Sequence, residues 1–356
     1  MKHTVGFLSL LILLLACKEE NPPSGPPPPP TPKDPREYTW IIDTIAYPGS
    51  LQTLMRDIWG SSPEDVWIVG HNERGYGQMF HYNGTVWSAT SLPFGPIDFR
   101  SISGFGAQDV YAVGGHLTLN PLPPPNILDS TLIVHYNGVS WTEMDVERTK
   151  GLWEIEGTGS DNLWVSGLYG ALYHYDGVQW ALDSVPSLFG PEAEWLIYGL
   201  GIKDDSVAYM LANAHVNAIA TDYYKFLRRS SSTWEVVDSF LIGPGSLTSK
   251  WGVSDLWIAP SGEMYSCGAD IFIWDGVQWT SVLSTTVFQA DMDGTRNDHI
   301  FSVGPLATVH YFDGTGWTQL ETHADTRWSF TGVWCNDDEV FIVGYDGNKT
   351  CVVHGN

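Results

Sequence analysis

A tight turn followed by a tryptophan recurs along this 356-residue chain. An aromatic strand end, then Asn-Gly or Asp-Gly, then a Trp is found in HYNGTVW (81–87), HYNGVSW (135–141), HYDGVQW (174–180), IWDGVQW (273–279) and YFDGTGW (311–317). Asn-Gly and Asp-Gly favour a type I′ turn, because both central residues of that turn need positive φ. Each segment therefore predicts an antiparallel hairpin of two strands.

A second repeat of thirteen residues precedes these hairpins. It occurs as IWGSSPEDVWIVG (58–70), ISGFGAQDVYAVG (102–114), IEGTGSDNLWVSG (155–167), LWIAPSGEMYSCG (256–268), MDGTRNDHIFSVG (292–304) and GVWCNDDEVFIVG (332–344). A degenerate copy spans 199–212 and leads to a Trp-ended segment at 223–234. Each copy predicts a strand, an acidic or Ser/Pro/Gly turn, and a β-rich strand ending in Gly.

Together the two repeats make a unit of four strands, and repeats of about 40–50 residues with four strands each are typical of propeller blades. The last unit, near CVVHGN (351–356), lacks its fourth strand, whereas TWIIDTIAYP (39–48) supplies an extra strand before the first unit. The sequence therefore predicts an all-β fold: a seven-bladed β-propeller of four-stranded blades. It also predicts that the N-terminal outer strand closes the ring by pairing with residues 351–354.

The phrase YAVGG…HYNGVSWTEM (111–144) resembles the kelch repeat, with its strand ending in Gly-Gly and its later Tyr and Trp. It departs from that pattern in the five residues from Tyr136 to Trp141 and in having the second Gly in the second unit alone. The resemblance implies a propeller fold. It names no function, because propellers carry many.

The N-terminus, MKHTVGFLSLLILLLAC, has a basic start and a short apolar run, as secretory signals do. Leu14-Leu15-Ala16-Cys17 resembles the lipobox of bacterial lipoproteins, which implies lipidation of Cys17 and a lipid anchor in the membrane. Lys18-Glu19-Glu20 resembles the signal that sends lipoproteins of Bacteroidota to the cell surface. We expect a signal peptide at 1–16, the lipidated Cys and a Pro-rich linker at 17–38, and the propeller at 39–356. The predicted location is the outer membrane, with surface exposure.

Composition narrows the classes of partner. The chain carries a net charge of −24, with 17 basic and 41 acidic residues, so it lacks the basic footprint of a nucleic-acid-binding protein. Three cysteines remain after Cys17, an odd number that argues against a disulfide framework. Nucleophile elbows, phosphate loops and paired CxxC motifs are absent from the sequence, so a non-catalytic role is favoured and no cofactor is predicted.

The candidate ligand-binding residues lie in or beside the connections opposite the Asn-Gly and Asp-Gly turns, where length and sequence vary. Scaffolded folds concentrate function in such loops. Arginines next to aromatic rings in an acidic protein suit an anionic glycan or a segment of a surface protein. The residues predicted to bind the ligand are Arg56, Arg100, Trp153, Trp195, Lys250, Arg327 and Trp328.

Two alternatives stay open at this point. The first is a polysaccharide-degrading enzyme, a hydrolase or lyase, that uses acids at the channel mouth; the candidate acids are Asp98, Glu154, Glu194, Asp291 and Asp325. The second is a structural docking subunit of an envelope complex. Repeat symmetry places His81, His135, His174, His310 and His354 in different blades, so structural hydrogen bonds are expected of them and no metal site is predicted.

Overall fold

The computed structural model describes residues 32–74, 78–119, 127–147, 151–183, 185–190, 193–204, 206–216, 220–243 and 249–356. The chain divides into a unit at Met1–Pro32 and a unit at Lys33–Asn356, and the second is the subject here. Cys17 and the predicted signal peptide lie outside the described residues. In the part that is described, no helix has the length and apolar character needed to span a bilayer.

Among the described residues, strands make up almost all regular structure, after one short 3-10 helix at Pro35–Glu37. The first strand is β1 (Trp40–Ile45). One eight-stranded sheet contains β2 (Thr53–Ser62), β3 (Asp65–Asn72), β4 (Met79–Tyr82), β5 (Trp87–Ala89), β6 (Ile97–Gly106), β7 (Asp109–Leu119), β8 (Ile127–Tyr136) and β9 (Trp141–Glu143).

Five further sheets have four strands each. Two of them contain β10 (Leu152–Gly159), β11 (Asn162–Gly167), β12 (Leu172–Tyr175) and β13 (Trp180–Leu182), and then β14 (Glu194–Ile202), β15 (Val207–Val216), β16 (Thr221–Ser230) and β17 (Thr233–Ile242). The next two contain β18 (Asp255–Ile258), β19 (Met264–Cys267), β20 (Asp270–Trp274) and β21 (Trp279–Ser284), and then β22 (Asp291–Arg296), β23 (His299–Gly304), β24 (Thr308–Phe312) and β25 (Trp317–Gln319). The last joins β26 (Ser329–Cys335), β27 (Val340–Tyr345) and β28 (Thr350–Gly355) to β1.

This arrangement confirms the all-β propeller class but corrects the blade count. Within the described residues, five sheets are separate four-stranded blades and the other eight strands form one continuous sheet. The prediction of seven separate four-stranded blades is wrong in this detail. The physical reason is that β6 begins beside the end of β3, where His71 and Asp98 pair their backbones and join the two four-stranded halves.

The predicted ring closure is present. β1 pairs antiparallel with β28, from Trp40 opposite Gly355 to Ile45 opposite Thr350. The segment before β1 is held at the same place, because the Lys33 ammonium donates to the Asn356 carbonyl oxygen at 2.8 Å. The chain's first and last strands therefore share one sheet and leave no open seam between its two ends.

The recurring hairpins form where they were predicted, but the predicted type I′ turn is wrong: each loop has four residues, as between the paired Tyr82 and Trp87, and its Asn or Asp does not have positive φ. Gly84, Gly138, Gly177, Gly276 and Gly314 all have positive φ, a conformation that glycine adopts without steric cost. The preceding Asn or Asp fastens each turn by accepting backbone hydrogen bonds; Asn83, for example, accepts from Val86 N at 3.0 Å. These turns define one end of the propeller, which we call the repeat-turn face; the opposite end is the variable-loop face.

Four histidines at equivalent places in the third strands of their units are structural residues. His81 Nε2 lies 2.6 Å from Asp65 Oδ1, and the imidazole stacks on Trp67 with ring centroids 4.0 Å apart. The same pair of contacts recurs at His135, His174 and His354, with acid or amide partners at 2.8, 2.9 and 2.6 Å. These contacts confirm the predicted structural role of four histidines, since each imidazole ties the third strand of a unit to the start of the second. The predicted equivalence of His310 is wrong: Tyr311 takes that place in β24, and the buried His310 lies with Nδ1 3.1 Å from Gln289 Oε1 instead.

Glycines on the first strands allow neighbouring units to approach closely. The ring of Trp59 lies over Gly104 and the ring of Trp334 lies over Gly60, so that a Cβ atom on either glycine would stand within 2.9 Å of a ring carbon. Such a contact is shorter than real Cβ atoms tolerate. Each tryptophan thus covers the first strand of the next unit, and the glycine is what makes room for it.

Candidate functional site

A central cavity of about 420 Å³ is the main concave feature. Its walls are the first strands of the units, namely β2, β6, β10, β14, β18, β22 and β26. These strands begin at the variable-loop face and run toward the repeat-turn face. Side chains at equivalent places along them therefore form successive levels around the cavity, from the variable-loop mouth inward.

Arg56 and Arg100 lie together at this mouth, and we call them the mouth arginines. Asp98 is buried between them: its Oδ2 lies 2.7 Å from Arg100 Nη2 and its Oδ1 lies 3.4 Å from Arg56 Nε. The two side chains keep 24% and 27% of their surface exposed, and both line the cavity. Two guanidiniums thus share one buried carboxylate at this mouth, in a protein that is strongly acidic overall.

Trp153 completes this corner of the mouth. The Arg100 guanidinium carbon lies 4.9 Å from the Trp153 ring centroid, a cation–π arrangement. Trp153 is half-buried and lines the cavity together with both mouth arginines. The structure thus brings together three of the seven residues predicted to bind the ligand: Arg56, Arg100 and Trp153.

The other four predicted binding residues lie away from the cavity. Trp195 packs against Phe189, with ring centroids 5.6 Å apart, and Trp328 packs on the core cluster beneath β26–β28. Lys250 Nζ pairs with Asp238 at 2.7 Å, and Arg327 pairs with Asp325 at 2.8 Å. Local partners and core contacts account for these positions, so the structure does not gather all seven side chains into one patch.

Below the mouth, the cavity wall is acidic. The half-buried carboxyl groups that line it are called the channel acids: Asp57, Glu154, Glu156, Asp255, Asp291 and Asp293. Of the other candidate acids, Asp98 belongs to the mouth, Asp325 is exposed beside Arg327, and Glu194 contributes its backbone to β14. The only basic residues among the described ones that line the cavity are the mouth arginines.

Most channel acids hold neighbouring units together. Asp57 accepts from Ile102 N at 2.8 Å, Asp291 from Val333 N at 2.7 Å, and Asp293 from Cys335 N at 2.8 Å. Each bond runs from the first strand of one unit to the first strand of the next. Glu154 does the same through Oε1, which accepts from Leu200 N at 3.1 Å. Buried backbone N–H groups at the axis are thereby satisfied.

Burial also disfavours the ionised form of these carboxyls. It raises the pKa of Asp57 and Asp293 to about 6, that of Asp255 to about 7 and that of Glu156 to about 8. Burial raises the pKa of Glu154 and Asp291 well above the usual range too, and repulsion from Asp255 adds to both effects. Near neutral pH the channel acids therefore hold protons that exposed carboxylates would have lost.

Aligning the units on their first strands would have revealed the channel acids. Asp57, Glu154, Asp255 and Asp291 each stand one residue before an aliphatic or methionine side chain of the first strand, at the place that Ser101 takes in β6. The thirteen-residue repeat begins just after this column, so the sequence analysis did not identify it as a set. The described residues contain no group of three or more His, Cys, Asp or Glu side chains placed to hold a metal ion.

The fold and its central cavity define a β-propeller. No family model matches the sequence, and no curated protein matches it. The chain is similar to the solved structure "YCF48 bound to D1 peptide", with a TM-score of 0.59, 16% identity and coverage of 91% of this chain and 97% of that one.

Two further solved structures show the same likeness. YCF48 from Cyanidioschyzon merolae has a TM-score of 0.57 at 12% identity, covering 88% of this chain and 98% of that one. The WD40 β-propeller domain of Doa1 has a TM-score of 0.53 at 11% identity, covering 89% and 97%. At these identities the likeness establishes the fold and leaves the ligand to the chemistry of the site.

Proposed function

We propose that this protein is a lipid-anchored binding module of the cell envelope, and that it recognises a carboxylate-bearing segment of a partner protein at the variable-loop mouth of its cavity. We also propose that the two halves of the eight-stranded sheet act as separate blades, which gives seven radial units. The support for that count is that each half contributes its own first strand, β2 or β6, to the cavity wall.

The mouth arginines carry the proposal. Arginine binds carboxylates through two parallel N–H donors, and here two such groups converge on one partly exposed position. Asp98 holds both guanidiniums in place, and both keep part of their surface exposed. An incoming carboxylate would meet donors that are already organised, so that little conformational entropy is lost on binding.

A peptide ligand has more support than a glycan. The described residues of the mouth combine guanidiniums with one half-buried ring, Trp153, whereas Trp195 and Trp328 lie elsewhere. Those described residues form no broad aromatic floor of the kind that a sugar chain uses. The structural neighbour described as YCF48 is bound to a peptide, so this architecture accommodates one in that protein. A polysaccharide-degrading enzyme has less support, since most channel acids accept backbone hydrogen bonds between units.

Charge reversal at the mouth tests the peptide assignment. The double variant Arg56→Glu/Arg100→Glu should weaken binding of carboxylate-bearing peptides at least tenfold, because a charge-assisted hydrogen bond contributes roughly 1.5–3 kcal/mol. The measurement is a binding array of acidic peptides, each paired with its Asn/Gln counterpart, with anionic oligosaccharides printed alongside. Binding should also weaken with added salt.

Arg228→Glu is the matched control, because Arg228 is an exposed arginine of β16 that does not line the cavity. It reverses one arginine charge away from the cavity and should leave the array pattern unaltered. Peptides that bind the double variant as well as the native protein would overturn the mouth site. Hits confined to anionic oligosaccharides would overturn the peptide assignment.

The lipid anchor is tested at Cys17. A Cys17→Ser variant cannot be acylated, and since stable anchoring depends on the acyl chains, it should move from the membrane fraction to the soluble fraction. Fractionation followed by immunoblotting measures this. Cys351→Ser is the control, because Cys351 is a buried free thiol of the propeller. Retention of the Cys17→Ser protein on membranes would overturn the proposed lipid anchor.

A further inference from the structure

We propose that the cavity below the mouth arginines is a second binding site, which takes an organic cation: an ammonium or guanidinium group held by the channel acids. This site goes beyond the proposed function, since it does not need an occupied mouth. The cation can come from a free small molecule or from a lysine or arginine side chain of a partner, and the experiment below separates these sources.

The charges along the cavity favour a cation at this depth. The mouth arginines lie at the variable-loop end, and Asp98 already neutralises one of them. The channel acids line the rest of the wall without a facing basic side chain among the described residues. In a partly desolvated cavity these like charges repel one another, and a cation placed among them would remove that repulsion.

Glu154 supplies the observation that points to a ligand. Its Oε1 accepts from Leu200 N, and this bond fixes the carboxyl group. Its Oε2 is buried and has no hydrogen-bond partner among the described residues. Thr331 Oγ1, on the wall of the same cavity, is likewise buried and unpartnered. Buried polar atoms are almost always hydrogen-bonded, so two unpartnered ones on the wall of one cavity indicate the place of a polar ligand.

The remaining lining and the volume suit an organic cation. Trp59, Trp257 and Trp334 are half-buried and line the cavity toward its repeat-turn end. Aromatic faces attract ammonium and guanidinium groups, and the attraction is stronger where water is excluded. A volume of about 420 Å³ lies within the range of small-ligand sites and exceeds what a single guanidinium group needs.

Protonation links the cation to pH. Burial raises the pKa of the channel acids, so part of the set is neutral near pH 6. A bound cation favours the ionised carboxylates, and binding should therefore release protons and tighten as pH rises. The other titratable groups that line the cavity are Tyr198 and Cys335; burial raises the pKa of both thiol and phenol beyond this range, so they stay neutral.

The experiment measures binding of N-acetylarginine amide to the native propeller by calorimetry at pH 8 and pH 5.5. N-acetylglutamine amide is the neutral probe, and N-acetylarginine adds a free carboxylate. We expect the arginine amide to bind at least tenfold more tightly than the glutamine amide, and at least fivefold more tightly at pH 8 than at pH 5.5. Equal binding of the charged and neutral probes would overturn the proposal.

Glu154→Gln is the decisive variant. The amide oxygen of the new side chain can still accept from Leu200 N, so the bond between β10 and β14 is retained. The negative charge that the carboxylate would carry beside a cation is lost. Affinity for N-acetylarginine amide should fall at least tenfold, with no loss in the control Glu235→Gln, an exposed position of β17. Unchanged affinity in a Glu154→Gln protein with native thermal stability would sink the site; if that variant fails to fold, Asp255→Asn takes its place with the same expected loss.

Two arms separate this site from the mouth and identify the source of the cation. Arg56→Gln/Arg100→Gln should keep the affinity for N-acetylarginine amide and lose the extra affinity of N-acetylarginine. The proposal for the mouth can therefore be overturned while the proposal for the cation site is supported, and the reverse also applies. A Gly-Ser-Arg-Ser-Gly peptide blocked at both ends that binds as tightly as the amide assigns the cation to a partner side chain, and weaker binding assigns it to a free small molecule.

Discussion

Replacing Ile45 with Asp is expected to destabilise the propeller by about 3–5 kcal/mol, whereas the same replacement at Ile42 should cost about 1 kcal/mol or less. Both residues belong to β1 and pair with β28. Ile45 is 7% exposed and packs on the cluster that includes Met55 and Phe341, whereas Ile42 is 40% exposed. Because both variants place Asp in the same strand, the difference between their unfolding free energies measures the packing of β1 on the core.

Urea denaturation followed by tryptophan fluorescence measures this difference. A loss of 3–5 kcal/mol is a large share of the 5–15 kcal/mol that holds a typical domain folded. The Ile45→Asp protein should unfold at a clearly lower urea concentration with a similar m-value. Equal stabilities of the two variants would show that β1 contributes little to closure.

The unfolding free energy should fall as pH rises from about 5 to about 8. Unfolded Asp and Glu titrate near pH 4, whereas burial raises the folded-state pKa of Asp293 to about 6, of Asp255 to about 7 and of Glu156 to about 8. Between these limits the folded protein binds more protons than the unfolded chain. The contribution of the channel acids to the unfolding free energy is therefore fully present below pH 4 and is lost as they ionise.

Glu156→Gln should flatten this decline. Each proton of difference is worth about 1.4 kcal/mol per pH unit, so removing one titrating group should recover a few kcal/mol between pH 5 and pH 8. Denaturation curves at several pH values measure the slope for the native protein, for Glu156→Gln and for the exposed control Glu235→Gln. Carboxyls with a lowered pKa, such as Glu73 at about 2, act only below this window.

A native protein that is most stable at pH 8 would contradict the first expectation. An unchanged slope in Glu156→Gln would show that this carboxyl does not carry the effect. Glu156 suits the test because it makes none of the side-chain bonds between units that Asp57, Asp291 and Asp293 make.

The sequence predicted the features that depend on local chemistry. Asn-Gly and Asp-Gly marked the hairpins correctly, although the glycine alone takes positive φ in each loop, and repeat spacing placed four of the five predicted histidines in one column. Ring closure by β1 was also predictable, because a missing strand at one end of the chain matched an extra strand at the other. The count of separate sheets was not predictable from the sequence, because a single backbone pair between His71 and Asp98 merges two of the sheets.

The site was harder to predict because it depends on which side chains reach the axis. Arg56 and Arg100 were identifiable by their equivalent places in successive units. Lys250 and Arg327 carry the same charge but pair within 3 Å with Asp238 of β17 and with Asp325, which no spacing in the sequence reveals. The raised pKa values depend on carboxyls from several units facing one cavity, and that proximity exists only in the closed ring.

Two contacts fix the face of the propeller at which the chain enters it. Arg36 reaches Asp313, in one of the Asp-Gly turns, at 2.9 Å, and Lys33 holds the last residue of the chain. The chain thus enters the propeller at the repeat-turn face, opposite the mouth arginines. An attachment made at Lys33 would therefore stand at the repeat-turn face and leave the variable-loop mouth unobstructed.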